Sequence, residues 1–379
     1  MAKGFTLEIN PWVYVARYGE AASRHWTGRF SLKPHFSPAE EARLPAAERE
    51  EVLSQRNSFP DLPLVNYTTQ YGFGVFEGLK AFPQKDGSLK LFRPDENAAR
   101  MARSMEGIMM PSFPPGLFVE SVLEIVARNR DLGFTLGYDP QWEKGDFVAG
   151  GSVYVRPFAY TEPGIGLNLS HDPWVVIVTT NVGAYFQPGS AKAVTTDKVR
   201  AFPGGTGWIK CNSNYVIPTL VKKAAMARGY MEAVFLDAAT QTCFEEGSSC
   251  NIFFHMKDGS LATPELGDTI LPGITRKSVV ELARSLGVKT QERKVALEEA
   301  FSEAKEVFVT GTAAGISHIE SLTHNGKAVV FGSGKMGELT RKLLVTLKGI
   351  QYGAVEDPFG WMFDCPKRGP SGSKPRRSR

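Results

Sequence analysis

The chain of 379 residues contains no apolar run that approaches the ~20 residues a membrane-spanning helix needs. Its first residues, MAKGFTLEINPW, have neither the apolar core of a secretory signal nor the Arg- and Ser-rich, acid-free composition of a transit peptide. Hydrophobic residues make up 42% and charged residues 22%, which is ordinary for a soluble globular protein. We therefore expect a cytoplasmic protein that does not act at a membrane.

Cysteine is scarce, and its spacing excludes two further classes of site. The four cysteines form no CxxC pair and have no histidine at metal-ligand spacing: Cys211, Cys243, Cys250 and Cys365. Thiols of cytosolic proteins stay reduced. We expect four reduced thiols and no bound metal.

A broad basic face is also missing, although the net charge is +4. Six of the 44 Lys and Arg residues follow Asp364 in the segment CPKRGPSGSKPRRSR, which contains no acid, so the rest of the chain is slightly acidic. We expect no nucleic-acid partner. The segment 365–379, rich in Pro, Gly and Ser, is expected to be a disordered tail, with a nuclear role or a role at an anionic surface as the minor alternative.

What is present is a mixture of strand and helix patterns, typical of an α/β protein. The segment NVGAYFQPGSAK after residue 180 is the best candidate linker in the chain, because its Gly, Pro and Ser residues interrupt both the strand and the helix pattern of apolar residues. We expect a domain over 1–184, an interdomain loop over 185–192 and a second domain over 193–364. KDGSL occurs at 85–89 and again at 257–261, and Asp-Gly between apolar segments predicts two hairpins.

Individual elements follow from β-branched runs and from helix stop signals. The predicted strands are Val65–Gln70, Leu89–Phe92, Ser152–Tyr160, Pro173–Thr180, Glu232–Asp237, Asn251–His255 and Glu306–Thr310. The predicted helices are Asp95–Met105, Val119–Asp131, Asn214–Arg228, Arg276–Leu286 and Met336–Lys348.

The most informative segment for chemistry is GGTGWIKCNSNY, residues 204–215. A Gly-rich turn delivers Lys210, and Asn and Ser residues then open a helix. Taken alone, the segment favours a surface lysine beside a flexible loop. A buried lysine, however, loses its proton readily and forms Schiff bases with carbonyl compounds.

Three other segments complement this lysine. FEEGSSCNIF (244–253) puts acids in a turn ahead of an apolar strand, and LPGITRK (271–277) puts Gly273 before a helix start that can hold a phosphate. VTGTAAG (309–315) ends a strand in small residues suited to an anion nest. A lysine, a buried acid and two anion cradles together fit pyridoxal 5′-phosphate (PLP), which needs a Schiff base, a partner for its ring nitrogen and phosphate anchors.

These segments carry a family resemblance that runs from about residue 60 to residue 363. The chain resembles the branched-chain amino acid aminotransferases, which are PLP enzymes of fold type IV. Seven elements recur in the family's order: YGxxVFEGLKAF (71–82), LFRPDENAARM (91–101), YVRP (154–157), GAYF (183–186), the GGTG–Lys segment, EEGSSCNIF (245–253), and LPGITR with GTAAG.

The resemblance implies an α/β (α+β) fold of two domains, a smaller N-terminal α/β domain and a larger C-terminal domain with a β-barrel-like sheet and surrounding helices. It also implies transamination of L-leucine, L-isoleucine and L-valine with 2-oxoglutarate by a ping-pong mechanism. The expected partners are these small-molecule substrates, with L-glutamate and the 2-oxo acids, and a second copy of the chain. In the expected homodimer, a loop of one small domain closes the partner's pocket.

Carried over position by position, the resemblance makes Lys210 the catalytic Schiff-base lysine. Glu246 would pair with the pyridine nitrogen, with Glu245 as the one rival, and Tyr215 would bond the ring O3′. The phosphate would be held by the Arg100 side chain, the amides of Ile274 and Thr275, and the Thr312 hydroxyl.

The resemblance also implies the substrate pocket, formed by Tyr71, Phe76, Tyr154, Arg156 and Tyr185, with the amides of Thr312 and Ala313 on the α-carboxylate. Tyr154 and Arg156 alternate on a predicted strand and so share a face. An Arg there suits the side-chain carboxylate of glutamate, although a solvated strand edge explains the pattern equally well. Lys198 and Arg200 are interpreted as solvated charges, and none of the six histidines is assigned to catalysis.

Three alternatives remain open. A D-amino acid aminotransferase shares the fold but usually has Arg-x-His where this chain has Tyr154-Val155-Arg156. An aminodeoxychorismate lyase shares the fold but lacks this Tyr and Arg set. A PLP-binding protein without catalytic activity is the third, and the presence of Lys210 argues against it.

Overall fold

The computed structural model describes residues 8–19, 24–183 and 191–367. Its strands are β1 (Trp12–Tyr18), β2 (Trp26–Leu32), β3 (Leu79–Pro83), β4 (Leu89–Phe92), β5 (Ser152–Tyr160), β6 (Trp174–Val182), β7 (Lys192–Thr196), β8 (Glu232–Leu236), β9 (Phe244–Gly247), β10 (Asn251–Met256), β11 (Leu261–Thr263), β12 (Thr290–Glu292), β13 (Ala304–Gly311), β14 (Gly315–Ile319), β15 (Ser321–His324), β16 (Lys327–Val330) and β17 (Met362–Asp364).

The α-helices of the same residues are α1 (Pro38–Glu41), α2 (Ala46–Arg56), α3 (Tyr67–Tyr71), α4 (Pro94–Gly107), α5 (Pro115–Asp131), α6 (Gln141–Lys144), α7 (Val216–Ala227), α8 (Ile274–Ser285), α9 (Leu297–Glu303) and α10 (Glu338–Gln351). A short 3-10 turn, Asn212–Tyr215, precedes α7.

The first sheet has seven strands in the order β17-β4-β3-β5-β6-β1-β2, all antiparallel to their neighbours. Its core lies against α4 and α5, where Met101, Phe118 and Ile125 are fully buried. Strand β5 occupies the centre of this sheet, between β3 and β6. Residues at the end of β3 and along β5 are thereby held on a rigid surface.

The second sheet has ten strands and a mixed order, β12-β11-β10-β9-β8-β7-β15-β16, with β13 joining β10 to β14. Helices α8 and α10 pack on it through a second core that contains Phe253, Phe308, Val279 and Leu343. β9 and β10 pair at Glu246 and Asn251, on either side of the tight turn that joins them.

This architecture confirms the predicted α/β fold with two sheets. The two KDGSL segments form hairpins, β3–β4 and β10–β11, as predicted. β17 returns from the end of the described chain to pair with β4 of the first sheet. The interdomain loop from 185 to 190 and the tail beyond residue 367 lie outside the described residues.

The predicted strand Val65–Gln70 is wrong, because this segment forms helix α3. The Asn66 side chain accepts a hydrogen bond from the Thr69 N–H at 2.9 Å, and Gly72, at φ 69°, ends the helix. Local capping at both ends outweighs the strand preference of Val65 and the threonines. No helix in the described ranges is both long and apolar enough to cross a membrane.

Candidate active site

A cavity of about 360 Å³ opens between the two sheets. The first sheet contributes residues from the β3 and β5 region and from α4, and the second contributes the turns after β9 and β13 and the start of α8. Eleven predicted site residues line it: Phe76, Arg100, Tyr154, Arg156, Lys210, Tyr215, Glu246, Ile274, Thr275, Thr312 and Ala313. Segments far apart in sequence therefore converge on one volume.

Lys210 is half-buried, and its ammonium faces two aromatic rings. Its Nζ donates to the Tyr215 hydroxyl at 2.7 Å and lies 4.6 Å from the centroid of the Phe76 ring. The backbone is fixed as well, because Lys210 N donates to Ser104 Oγ at 3.1 Å and Phe76 N donates to Lys210 O at 3.1 Å. Hydrogen bonds thus fix the backbone of the lysine, and its side chain extends into the cavity.

Glu246 is 3% exposed and meets a cation that sequence reasoning assigned to solvent. The interpretation of Arg200 as a solvated charge is wrong: its side chain is buried, and Nη1 lies 2.9 Å from Glu246 Oε1. The Leu271 N–H also donates to Oε1, at 3.0 Å. Burial raises the pKa of Glu246, and Arg200 and the Leu271 amide act in the opposite direction.

Glu246 and Glu245 are adjacent residues of β9, so their side chains point to opposite faces of the sheet. Successive side chains of a strand point to opposite faces, and only Glu246 of the two lines the cavity. Glu245 is also buried, and burial raises its pKa to about 7. One of its oxygens, Oε2, has no hydrogen-bond partner among the described residues.

Two backbone anion cradles face the cavity. Gly273 caps α8, so the amides of Ile274 and Thr275 lie in the first helical turn, where they have no partner within the helix. A Cβ at Gly273 would come within 2.0 Å of Asn251 Oδ1, so this position requires glycine. The second cradle is the turn between β13 and β14 that includes Thr312 and Ala313.

Arg100 reaches the cavity from α4, but its guanidinium is already hydrogen-bonded to other residues. Nε and Nη2 donate to the two oxygens of Glu77 at 2.7 and 2.8 Å, and Nη1 donates to Pro272 O at 3.1 Å. Glu77 is fully buried, and Arg100 and Asn97 lower its pKa against the opposing effect of burial. Sequence reasoning missed Glu77, whose signal was a single acid inside the motif VFEGLKAF, where Lys80 is the one other charged residue.

Tyr154 and Arg156 share a face of β5, as predicted. Arg156 Nη2 donates to the Tyr154 hydroxyl at 2.7 Å, and the guanidinium lies 4.8 Å from the Phe76 ring centroid. Its Nε is buried with no hydrogen-bond partner among the described residues. Gly78 leaves room for this pair, since a Cβ there would lie 2.1 Å from the Tyr154 hydroxyl oxygen.

The remaining two predicted residues are not in this cavity. Tyr71 does not line it, contrary to the prediction: the side chain is 45% exposed, and its hydroxyl accepts a hydrogen bond from the Gly166 N–H at 3.0 Å. It borders a separate surface groove with Phe73 and Leu167. Tyr185 lies outside the described residues.

The donors in the cavity fit PLP. An aldehyde needs an amine, which is Lys210; a pyridine nitrogen needs an acid, which is Glu246; and a phosphate needs N–H donors, which the start of α8 supplies. Arg156 lines the same cavity and adds a cationic group that suits a substrate anion.

Comparison with known proteins identifies the family of the chain. The amino-transferase class IV family profile matches residues 74–322. A probable branched-chain-amino-acid aminotransferase of Staphylococcus aureus is 39% identical over 307 residues, which covers 78% of this chain and 82% of that protein.

Two solved structures share the fold. The branched-chain aminotransferase of Thermoproteus uzoniensis, crystallised with norvaline, superposes with a TM-score of 0.69 at 29% identity, covering 81% of this chain and 95% of that one. A T.th. branched-chain amino acid aminotransferase, complexed with N-(5′-phosphopyridoxyl)-L-glutamate, gives 0.66 at 27% identity, covering 80% and 92%.

The chain therefore belongs to the class IV aminotransferases, and within them to the branched-chain-amino-acid aminotransferases. As a member of this family it is a PLP-dependent transaminase.

Proposed function

We propose that the protein transfers the amino group of L-leucine, L-isoleucine or L-valine to 2-oxoglutarate, with PLP held covalently on Lys210. The observation that carries the proposal is the convergence of Lys210, Glu246 and the α8 amides on one cavity that also contains Arg156. Bound PLP supplies an electron sink that stabilises negative charge at the substrate Cα.

Lys210 has two tasks in this proposal. It would hold the cofactor through Nζ, and its free amine would be the base that takes the substrate's Cα proton. Tyr215, whose hydroxyl accepts a hydrogen bond from Nζ at 2.7 Å, would hold the cofactor's O3′.

Glu246 is the proposed partner of the pyridine nitrogen. A carboxylate there favours the protonated ring, which is the better electron acceptor. The buried ion pair with Arg200 opposes the rise that burial causes in the pKa of Glu246, and so favours the ionised form. Arg200 is therefore a positioning residue in the proposal.

The phosphate would be held by the amides of Ile274 and Thr275, the Thr312 hydroxyl and Arg100. Because Glu77 already engages two nitrogens of Arg100, the phosphate would approach a guanidinium of fixed orientation. The Glu77 carboxylate holds Arg100 in place for this purpose.

Two kinds of substrate side chain must share the rest of the cavity. Phe76 and the Tyr154 ring offer apolar surface to a branched chain, at about 0.8 kcal/mol for each buried CH₂. Arg156 offers a charged donor to the second carboxylate of 2-oxoglutarate or glutamate. The α-carboxylate, common to both, would bind the Thr312 and Ala313 amides.

The proposed enzyme is a cytoplasmic homodimer. An exposed apolar surface next to α3 supports the dimer: Leu167 is 95% exposed, Leu64 80% and Ile165 76%. Tyr71 borders the same surface, so in a dimer it would serve the partner's cavity rather than its own. The four free thiols suit a reducing compartment.

A panel of amino donors with 2-oxoglutarate tests the proposal. We expect L-leucine, L-isoleucine and L-valine to be turned over fastest, with a visible cofactor band on the purified protein. Faster turnover of D-alanine than of L-leucine would instead indicate a D-amino acid aminotransferase. A visible band without any transamination would indicate a cofactor-binding protein.

A further inference from the structure

Two lysines that the proposed mechanism does not use lie behind the anion cradles. Lys80 on β3 is 6% exposed, and its Nζ donates to Ala313 O at 3.2 Å. Lys348 on α10 packs against Gly315, where an added Cβ would lie 3.3 Å from its Cε and 3.6 Å from its Nζ. The lysines thus contact the turn between β13 and β14 at two points.

A small cavity of about 20 Å³, room for about one water molecule, separates these lysines from the active site. Both Lys80 and Lys348 line it. Four residues line this cavity and the active-site cavity alike: Ile274, Thr275, Gly311 and Thr312. Three of the four, Ile274, Thr275 and Thr312, are proposed to hold the cofactor phosphate or the substrate carboxylate, so the wall between the lysines and the active site includes these anion-binding residues.

Neither ammonium group forms an ion pair with a carboxylate within the ranges that the structure covers. Burial lowers the pKa of both lysines, that of Lys348 to about 8, and the charge of Lys348 lowers the pKa of Lys80 further. Lys80 is buried and Lys348 is half-buried, and both line the same small cavity. Two cations placed together with little solvent and no counter-ion are unfavourable unless a negative charge arrives nearby. The wall shared with the active site is where such a charge would bind.

We infer that Lys80 and Lys348 form a cationic pair that stabilises an anion bound on the other side of this wall, the phosphate of the cofactor in the first place. The inference rests on the proposed function, since it needs an anion at that position. The lysines act through the wall and do not touch the ligand, so they are positioning residues. The α-carboxylate of the substrate is the second anion that the same charges would favour.

The test measures binding to the full-length protein rather than turnover. Lys80→Met and Lys348→Met remove one charge each while keeping a long side chain, and Lys342→Met removes an exposed charge from the same helix as the control. Affinities are measured for PLP, for pyridoxal, which lacks the phosphate, and for inorganic phosphate. We expect each of the first two variants to lower the affinity for PLP and for phosphate by about three- to thirtyfold, the range for loss of one partly screened charge. The affinity for pyridoxal should be unchanged.

A second arm identifies the anion. Binding of 4-methylpentanoate to the cofactor-loaded variants reports on the carboxylate position, and weakening there supports the inference for the substrate anion. Equal weakening of PLP binding and pyridoxal binding would overturn the inference, because it indicates a purely structural role for the lysines. Unchanged affinities in both arms would overturn it as well. Lys348→Arg should restore phosphate affinity. Turnover of leucine by the unmodified enzyme tests the proposed function separately.

Discussion

Lys210 is the residue on which the proposed chemistry depends. Lys210→Ala should abolish transamination and the borohydride-reducible link to PLP, because no other lysine lines the described cavity. Lys198→Ala, an exposed lysine twelve positions earlier in the chain, is the control and should leave both intact. Peptide mapping of the reduced protein checks the assignment, and label on Lys192 or Lys222 would contradict it.

Glu246 and Glu245 are adjacent acids that alternation places on opposite faces of β9. Glu246→Gln should lower turnover by at least tenfold while PLP still binds, since the phosphate anchors remain but the pyridine nitrogen loses its counter-charge. Glu245→Gln should retain most activity, because a neutral amide resembles the protonated acid favoured by burial, which raises the pKa of Glu245 to about 7. Steady-state kinetics and the cofactor spectrum distinguish the two. Strongly reduced turnover in Glu245→Gln, with normal turnover in Glu246→Gln, would reverse the assignment.

Arg156 should matter unequally for the two halves of the reaction. Arg156→Met removes the donor for the second carboxylate of 2-oxoglutarate, and a lost hydrogen bond to a charged group costs about 1.5–3 kcal/mol. The 2-oxoglutarate half-reaction should slow roughly ten- to a hundredfold at 1.4 kcal/mol per decade, while the leucine half-reaction changes far less. Single-turnover absorbance changes of the cofactor measure each half. Equal losses would exclude a role specific to the dicarboxylic substrate.

At the scale of elements, the start of α8 is the feature most sensitive to a single methyl group. Gly273→Ala places a Cβ within 2.0 Å of Asn251 Oδ1, and the Asn251 amide donates to Leu271 O at 3.0 Å and to Glu246 Oε2 at 3.3 Å. We expect PLP affinity to fall at least tenfold, because the helix start and Glu246 are displaced together.

Gly267→Ala is the matched control, since a Cβ there meets nothing within 4 Å and the residue lies in the same loop. Fluorescence titration with PLP compares the two variants, and circular dichroism checks that both are folded. Unchanged PLP affinity in Gly273→Ala would show that the cradle tolerates a side chain and does not hold the phosphate closely.

At the scale of the whole molecule, the apolar surface around Leu167 should join two copies of the chain. Leu167→Glu should shift the protein toward monomers and lower activity, since burying a charge in an interface is costly. Val330→Glu, on β16 and itself 60% exposed, is the control and should stay dimeric. Analytical ultracentrifugation with activity assays at the same concentration measures both effects. An active monomer of the unmodified enzyme would refute the dimer.

The sequence by itself determined the order of most elements, because their signals are local. Strand β5, the two Asp-Gly hairpins and the helices that stop at Gly229 and Gly287 follow from periodicity and turn residues within one short window. The same window misled at Val65–Gln70, where Asn66 and Gly72 cap a helix and outweigh the β-branched residues. The motifs likewise predicted eleven residues that line one cavity, since each motif has its functional residue at a fixed position.

Only the tertiary structure decided how those residues are charged and oriented. The ion pair between Arg200 and Glu246 joins positions 46 residues apart, and burial, which changes the cost of an isolated charge, cannot be seen in a local pattern. The same holds for the bidentate contact of Arg100 with Glu77 and for the placement of Lys80 and Lys348 behind the β13–β14 turn. Tyr71 shows the converse limit: its motif placed it in the pocket, but the chain folds it onto an exposed surface, because a motif does not record how the rest of the chain packs around it.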